Sequence, residues 1–184
     1  MLVLFGFLLL AAGDAPLPPQ PDSATKVLNL FDRLRSDKNA NFRLTEADVN
    51  EYMVAALKRQ PRPGVQSTQI KFFPKNYVTT FTVVDFDAIE KWKPGTIPAL
   101  LRPVLTGKKT VWIDVRFQVA GSRLTYTIEK AYFENIWLPA PIVQKVIEVV
   151  AARQPEHYDT AKPLPLPFNL QDLRTSDKSI SGNN

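Results

Sequence analysis

Thr110–Ile136, TVWIDVRFQVAGSRLTYTIEKAYFENI, decides how this chain folds. Val111, Ile113, Val115, Phe117 and Val119 alternate with Trp112, Asp114, Arg116 and Gln118, the period-two pattern of a strand with one buried face. Ala120-Gly121-Ser122-Arg123 then suits a two-residue turn with glycine first, the type II′ pattern. Such a turn fixes the register, so that facing residues keep one constant sum along the hairpin. Val119 meets Leu124, Phe117 meets Tyr126 and Val115 meets Ile128 on one face. On the other, Arg116 lies diagonally from Glu129, within reach of an ion pair. Each limb runs to roughly a dozen residues, about 40 Å at the usual rise, and strands of that length twist and curl. The expected object is a half-pipe with an apolar inner face, filled by the protein's own helices or by a ligand.

The totals bound what can surround this hairpin. A chain of 184 residues with ordinary hydrophobic content forms one domain with a substantial core. Sixteen prolines against seven glycines argue for stiff connections and against Gly-rich phosphate loops. The formal charge of +5 favours contact with anionic surfaces. Lys and Arg are scattered, however, and no basic run or nucleic-acid motif is present, which argues against nucleic-acid binding. Cysteine is absent, which excludes disulfides, thiol nucleophiles, zinc–thiolate sites and a lipidated N-terminal cysteine.

Working outward toward the N-terminus, Leu2–Ala12 is an apolar run of 11 residues followed by small residues and prolines. It is too short for a spanning helix, which needs about 20 residues, and it matches the apolar core of a signal peptide without the usual basic start. Residues 1–21 therefore read as signal peptide and Pro-rich leader, and 22–184 as a single domain; a buried N-terminal strand is the competing reading. A first helix is expected from Asp22 or Ser23 to about Asp37, with Val27, Leu30, Phe31 and Leu34 on one stripe. A second begins at Thr45, where Thr45 and Asp48 form a capping box, and Pro61-Arg62-Pro63-Gly64 ends it. Strands follow at Val65–Phe73 and Tyr77–Phe86, the second alternating poorly, as a central or doubly covered strand does. Asp87 is expected to cap a short helix through Trp92, and Thr96–Leu105 (TIPALLRPVL) is a short apolar segment broken by prolines. Beyond the hairpin, Pro139-Ala140-Pro141 opens a helix through Ala152, and the tail reads as an extended lead-in with a last strand or ragged hairpin.

Chemistry-bearing patterns are few. Asp37, Asn39, Asn41, Leu44 and Asp48 follow the spacing of an EF-hand calcium loop. Phe42 stands where that loop needs glycine, though, and Asp48 is too short to bind bidentately. A polar helix–turn–helix is the plainer reading. Asp85 and Asp87 would share a strand face and offer a metal two carboxylates, but a strand end followed by a helix cap explains them as well. His157, the sole histidine, has no G-x-S-x-G elbow beside it and reads as a surface residue. No Walker A, G-x-G-x-x-G or H-E-x-x-H pattern exists. The sequence offers no catalytic centre, no metal site and no cofactor motif, so the expectation is a non-enzyme.

Leu44-Thr45-Glu46-Ala47-Asp48-Val49-Asn50-Glu51-Tyr52 resembles the entry motif of small exported bacterial proteins of the tubular lipid-binding (TULIP) superfamily, the YceB-like and LmeA-like groups. Pro63-Gly64-Val65, Asp85–Asp87 and Leu164-Pro165-Leu166-Pro167-Phe168 resemble later parts of the same proteins in order. Thr175–Asn184 departs by lacking their Asp-Gly turn, and TIPALLRPVL has no counterpart. The resemblance implies a helix held in a curved antiparallel sheet with a lipid-sized groove between.

The sequence therefore predicts an α+β fold in which a long curved antiparallel sheet wraps one or more amphipathic helices. The expected function is non-catalytic binding or transport of a lipid or other apolar ligand in the periplasm or cell envelope, with transient membrane-surface contact. The groove residues expected from the sheet are Val115, Phe117, Tyr126, Ile128, Phe81 and Val83. From the second helix come Val49, Tyr52, Met53 and Leu57, and Leu100, Leu101 and Val104 would gate the mouth beside Arg102, Lys108 and Lys109. The competing reading is a cystatin-like or NTF2-like protein-interaction module whose apolar face its own helices plug.

Overall fold

A computed structural model describes residues 22–61, 63–95, 97, 99, 102–103, 105–144 and 162–184. The fold is α+β, with a six-stranded and a three-stranded antiparallel sheet. Its elements are α1 (Asp22–Ser36), β1 (Asn41–Thr45), α2 (Glu46–Arg59), β2 (Val65–Phe73), β3 (Tyr77–Asp85), α3 (Phe86–Trp92), β4 (Lys108–Ala120), β5 (Arg123–Phe133), β6 (Ile136–Trp137), β7 (Leu164–Pro165), β8 (Asp172–Ser176) and β9 (Ser179–Asn183). Residues 140–144 are also helical; the remainder of the helix expected there, with His157, lies outside the described residues. The large sheet runs β2-β3-β4-β5-β6, with β7 joining β5, and the small one runs β1-β9-β8.

The β4–β5 hairpin pairs as its alternation predicts: Val119 opposite Leu124, Phe117 opposite Tyr126, Val115 opposite Ile128. Two features differ from expectation. Gly121 (φ 55°) and Ser122 (φ 59°) are both left-handed, so the turn is type I′ rather than II′, the form whose twist matches the flanking strands. The register also slips past Val115, where Asp114 faces Lys130 and Glu129 stands opposite nothing. This bulge keeps Ala131 and Phe133 on the apolar side, where an unbroken register would have put Lys130 and Tyr132.

β3 lies between β2 and β4, as its poor alternation foretold, and buries Thr79 and Thr80 on opposite faces. Asp85, not Asp87, caps α3, its side chain accepting from the Ala88 N–H at 3.0 Å. Asp87 instead accepts from Gly107 N–H at 3.0 Å. The calcium-loop spacing is overturned by β1. Residues 41–45 are extended and paired with β9, so Asn41 sits on a strand, while Asp48 is held by Thr45 and Lys26 in the first turn of α2. The plainer helix–turn–helix reading also missed this strand. The tail hairpin turns at Asp177-Lys178, with Lys178 at φ 53° where an Asp-Gly turn would place glycine.

Candidate functional site

The resemblance-bearing motif makes local structure. Thr45 caps α2, its hydroxyl accepting from Asp48 N–H at 3.2 Å while Asp48 accepts from Thr45 N–H at 2.8 Å, the reciprocal capping box. Asp48 also takes Lys26 Nζ at 2.6 Å. Burial pushes its carboxyl upward, but the bonds from Lys26 and Thr45 outweigh that and hold it below the usual carboxylate range. Two further side chains of the motif close the free edge of β2. Asn50 donates to Ile70 C=O at 2.9 Å and accepts from Ile70 N–H at 2.7 Å, and Glu46 accepts from Phe72 N–H. The Lys178 N–H and Thr175 hydroxyl fill Phe72 C=O and Phe73 C=O. An edge that would template another strand is thereby occupied.

The groove residues foreseen from sequence divide into three groups. Val49, Tyr52, Met53 and Phe117 come together with Ile70, Phe72, Val78 and Leu124 in one cluster closed by Val27, Phe31 and Leu34 of α1. None of these four is more than 3% exposed. Phe31 meets Tyr52 edge-on at 5.6 Å and stacks on Phe168 at 5.3 Å. This part of the half-pipe is packed solid, and Leu57 sits half-buried on the same helix. Val115, Tyr126 and Ile128 lie further along the same sheet face. There a second, smaller cluster joins Ile128 and Ala131 to Val143, with Ile113, Tyr126 and Leu138 against it.

Phe81 and Val83 are a correction. They face Trp112 and Thr110 in the register, so they lie on the opposite side of the sheet from Val115 and Phe117. The poor alternation of YVTTFTVVDF hid which side chains pointed inward. Leu100, Leu101 and Val104 lie outside the described residues.

The turn joining β2 to β3, the end of β4 and β8 border a cleft of about 510 Å³ lined by Lys75, Asn76, Gln118, Asp172, Arg174 and Thr175, with Val119 and Leu173. Its groups serve one another: Arg174 pairs with Asp172 at 2.9 Å, and Asn76 accepts from Thr175 N–H at 3.0 Å. It is a polar surface hollow, not a chamber for a hydrocarbon tail. Among the described residues no group of three acidic, histidine or cysteine side chains converges as metal ligands.

On the outer face, sequence reasoning passed over a row of rings. Phe81 lies 4.6 Å from Trp112, and Trp112 lies 6.0 Å from Tyr132, whose register partner is Trp137. Trp112 donates Nε1–H to Asp114 at 2.7 Å, and Thr79 donates its hydroxyl to the same carboxylate at 2.7 Å. Burial, followed by the hydrogen bond and charge of Asp114, pushes the neighbouring Tyr77 hydroxyl up to about 12. The alternation placed Trp112 outward, but the cross-strand register that assembles the row depends on the bulge at Glu129. Compared with protein-family models and with curated proteins, the chain matches none.

Proposed function

We propose that this is an exported, non-catalytic binding protein for a lipid or comparable apolar molecule, of the tubular lipid-binding type, in the cell envelope. One observation carries the reading: the apolar face of the β4–β5 hairpin extends past the helices that plug it. Around Phe117 and Leu124 it is sealed by α1 and α2, whereas Val111 and Ile113 further along, with Thr82 and Val84 of the neighbouring β3, stay partly exposed. Ile136 and Ile142 are 61% and 53% exposed near that stretch. The ligand surface is therefore moved from Val49, Tyr52, Met53 and Phe117 to the distal half around Ile113, Tyr126 and Ile128. An acyl chain gains about 0.8 kcal/mol per methylene buried, so shape and dryness suffice and few polar anchors are needed. The apolar leader at Leu2–Ala12 supports export.

Native mass spectrometry of the purified protein, followed by organic extraction, tests the reading. A lipid-sized adduct that Ile113→Arg removes while circular dichroism stays unchanged is the expected result. A chain that is ligand-free after purification and takes up no added fatty acid or phospholipid overturns it. The solid packing of α1 and α2 favours a second reading, the interaction module with a self-filled core, which that negative result would select.

A further inference from the structure

From the outer face of the large sheet we infer a docking surface for an anionic phospholipid bilayer. Both apolar clusters lie on the opposite face. Across the outer face the register sets Phe81, Trp112, Tyr132 and Trp137 side by side on four neighbouring strands, a strip of about 14 Å at the usual strand spacing. Trp112 and Trp137 remain 37% and 58% exposed. The adjoining row reads Lys71, Thr79, Asp114, Lys130, with an exposed lysine at each end.

Charge decides the partner. The acids of this face are engaged: Asp114 is buried and bonded to Trp112 and Thr79, and Glu129 pairs with Arg116 at 2.9 Å. Asp85 caps α3, and Glu134 accepts from Thr110 N–H at 2.7 Å. Lys71 and Lys130 at the ends of the adjoining row, with Lys108 opposite Asp85, supply exposed positive charge beside the rings. Because Trp112 turns its N–H inward to Asp114, the edge it shows to solvent is hydrocarbon. Rings flanked by lysines suit the bilayer interface, where tryptophan and tyrosine settle at headgroup depth and lysine meets anionic lipid. A single-stranded nucleic acid fits less well. Phe81 and Trp112 tilt into each other at 37°, Trp112 and Tyr132 at 52°, so their π-faces are taken by one another and offer a base little platform.

Deepening the proposed function, this docking face would bring the carrier to its lipid source, yet its test is separate. The full chain is sedimented with vesicles of phosphatidylcholine, with and without phosphatidylglycerol, while tryptophan emission is followed. The expected result is binding and a blue shift with phosphatidylglycerol vesicles. Lys71→Glu and Lys130→Glu should each weaken binding by at least roughly fivefold, the contribution of one lysine near such a surface. Trp137→Ala should lose it further, and Trp137→Phe should retain part. These positions are exposed, so the variants should fold as the parent does. Absence of vesicle binding overturns the docking face, as does binding that the three losses leave unchanged. A shift of a single-stranded oligonucleotide without vesicle binding overturns it in favour of nucleic acid. An extracted lipid without vesicle binding would sink the docking face and spare the carrier; vesicle binding by a ligand-free protein would do the reverse.

Discussion

Asn50 grips Ile70 by both backbone groups, donating at 2.9 Å and accepting at 2.7 Å, so a helix side chain takes the place of a neighbouring strand. Ile70 itself is wholly buried. Asn50→Ala leaves a buried donor and a buried acceptor unsatisfied, at about 1–3 kcal/mol each. Urea denaturation should show a loss of about 2–6 kcal/mol, the sum of the two. A loss under about 0.5 kcal/mol, the range of an ordinary surface change, would mean that the edge is closed some other way.

Asp48 couples stability to acidity. Its carboxyl is held below its ordinary value of 3.8 in the folded chain, so the unfolded chain binds the proton more tightly. The stabilisation is complete above that value and is lost as pH falls through the folded value. Thermal unfolding of the native chain should weaken on acidification in this window, and Asp48→Asn should lower stability at neutral pH while flattening the acid limb. An unchanged acid limb in the variant would assign the dependence to other carboxylates.

Lys178 holds φ at 53° in the β8–β9 turn, a region that costs a side-chain-bearing residue about 1 kcal/mol. Lys178→Gly relieves this while keeping the N–H that meets Phe72 C=O at 3.1 Å. Calorimetry should find the variant equal to or more stable than the parent, by up to about 1 kcal/mol after the added chain entropy of glycine. A clear destabilisation would show that the lysine side chain contributes more than its backbone costs.

Phe117 and Ile113 share a face and differ in burial. Phe117→Ala opens a cavity in the sealed half and should cost about 3–5 kcal/mol. Ile113→Ala, at a partly exposed position, should cost about 1 kcal/mol, the low end for apolar area removed from water. Paired denaturation curves measure the contrast; equal losses would mean that the distal half is packed as tightly as the proximal one.

Much of the architecture was legible because alternation and capping act locally. The pairings of Val115, Phe117 and Val119 followed from period and turn length, and the box at Thr45 and Asp48 from two residue types at the right spacing. What escaped depended on distant partners. β1 is a strand because β9, some 140 residues later, runs beside it, and nothing within NFRLT announces that. The inward direction of Phe81 and Val83 was misjudged because a central strand carries apolar side chains on both faces, which erases the alternation that would orient it. Asn50 and Glu46 passed as ordinary helix residues, since their partners are backbone atoms with no signature in sequence.

Glu129 is the surplus residue that sets the sidedness of everything after it in β5. Deleting it would leave a regular ladder with the same sidedness, Lys130 still opposite Asp114 and Ala131 opposite Ile113, whereas pairing it with Asp114 would turn Lys130 and Tyr132 inward and Ala131 and Phe133 out to water. One residue can thus be lost at the bulge without a matching loss in β4, while a loss elsewhere in the limb flips the side chains between it and the bulge. Any descendant of this chain that keeps its inner wall and its tryptophan row must carry either the outward pair Glu129-Lys130 in its bulge or a single outward residue in their place, whatever happens to their identities.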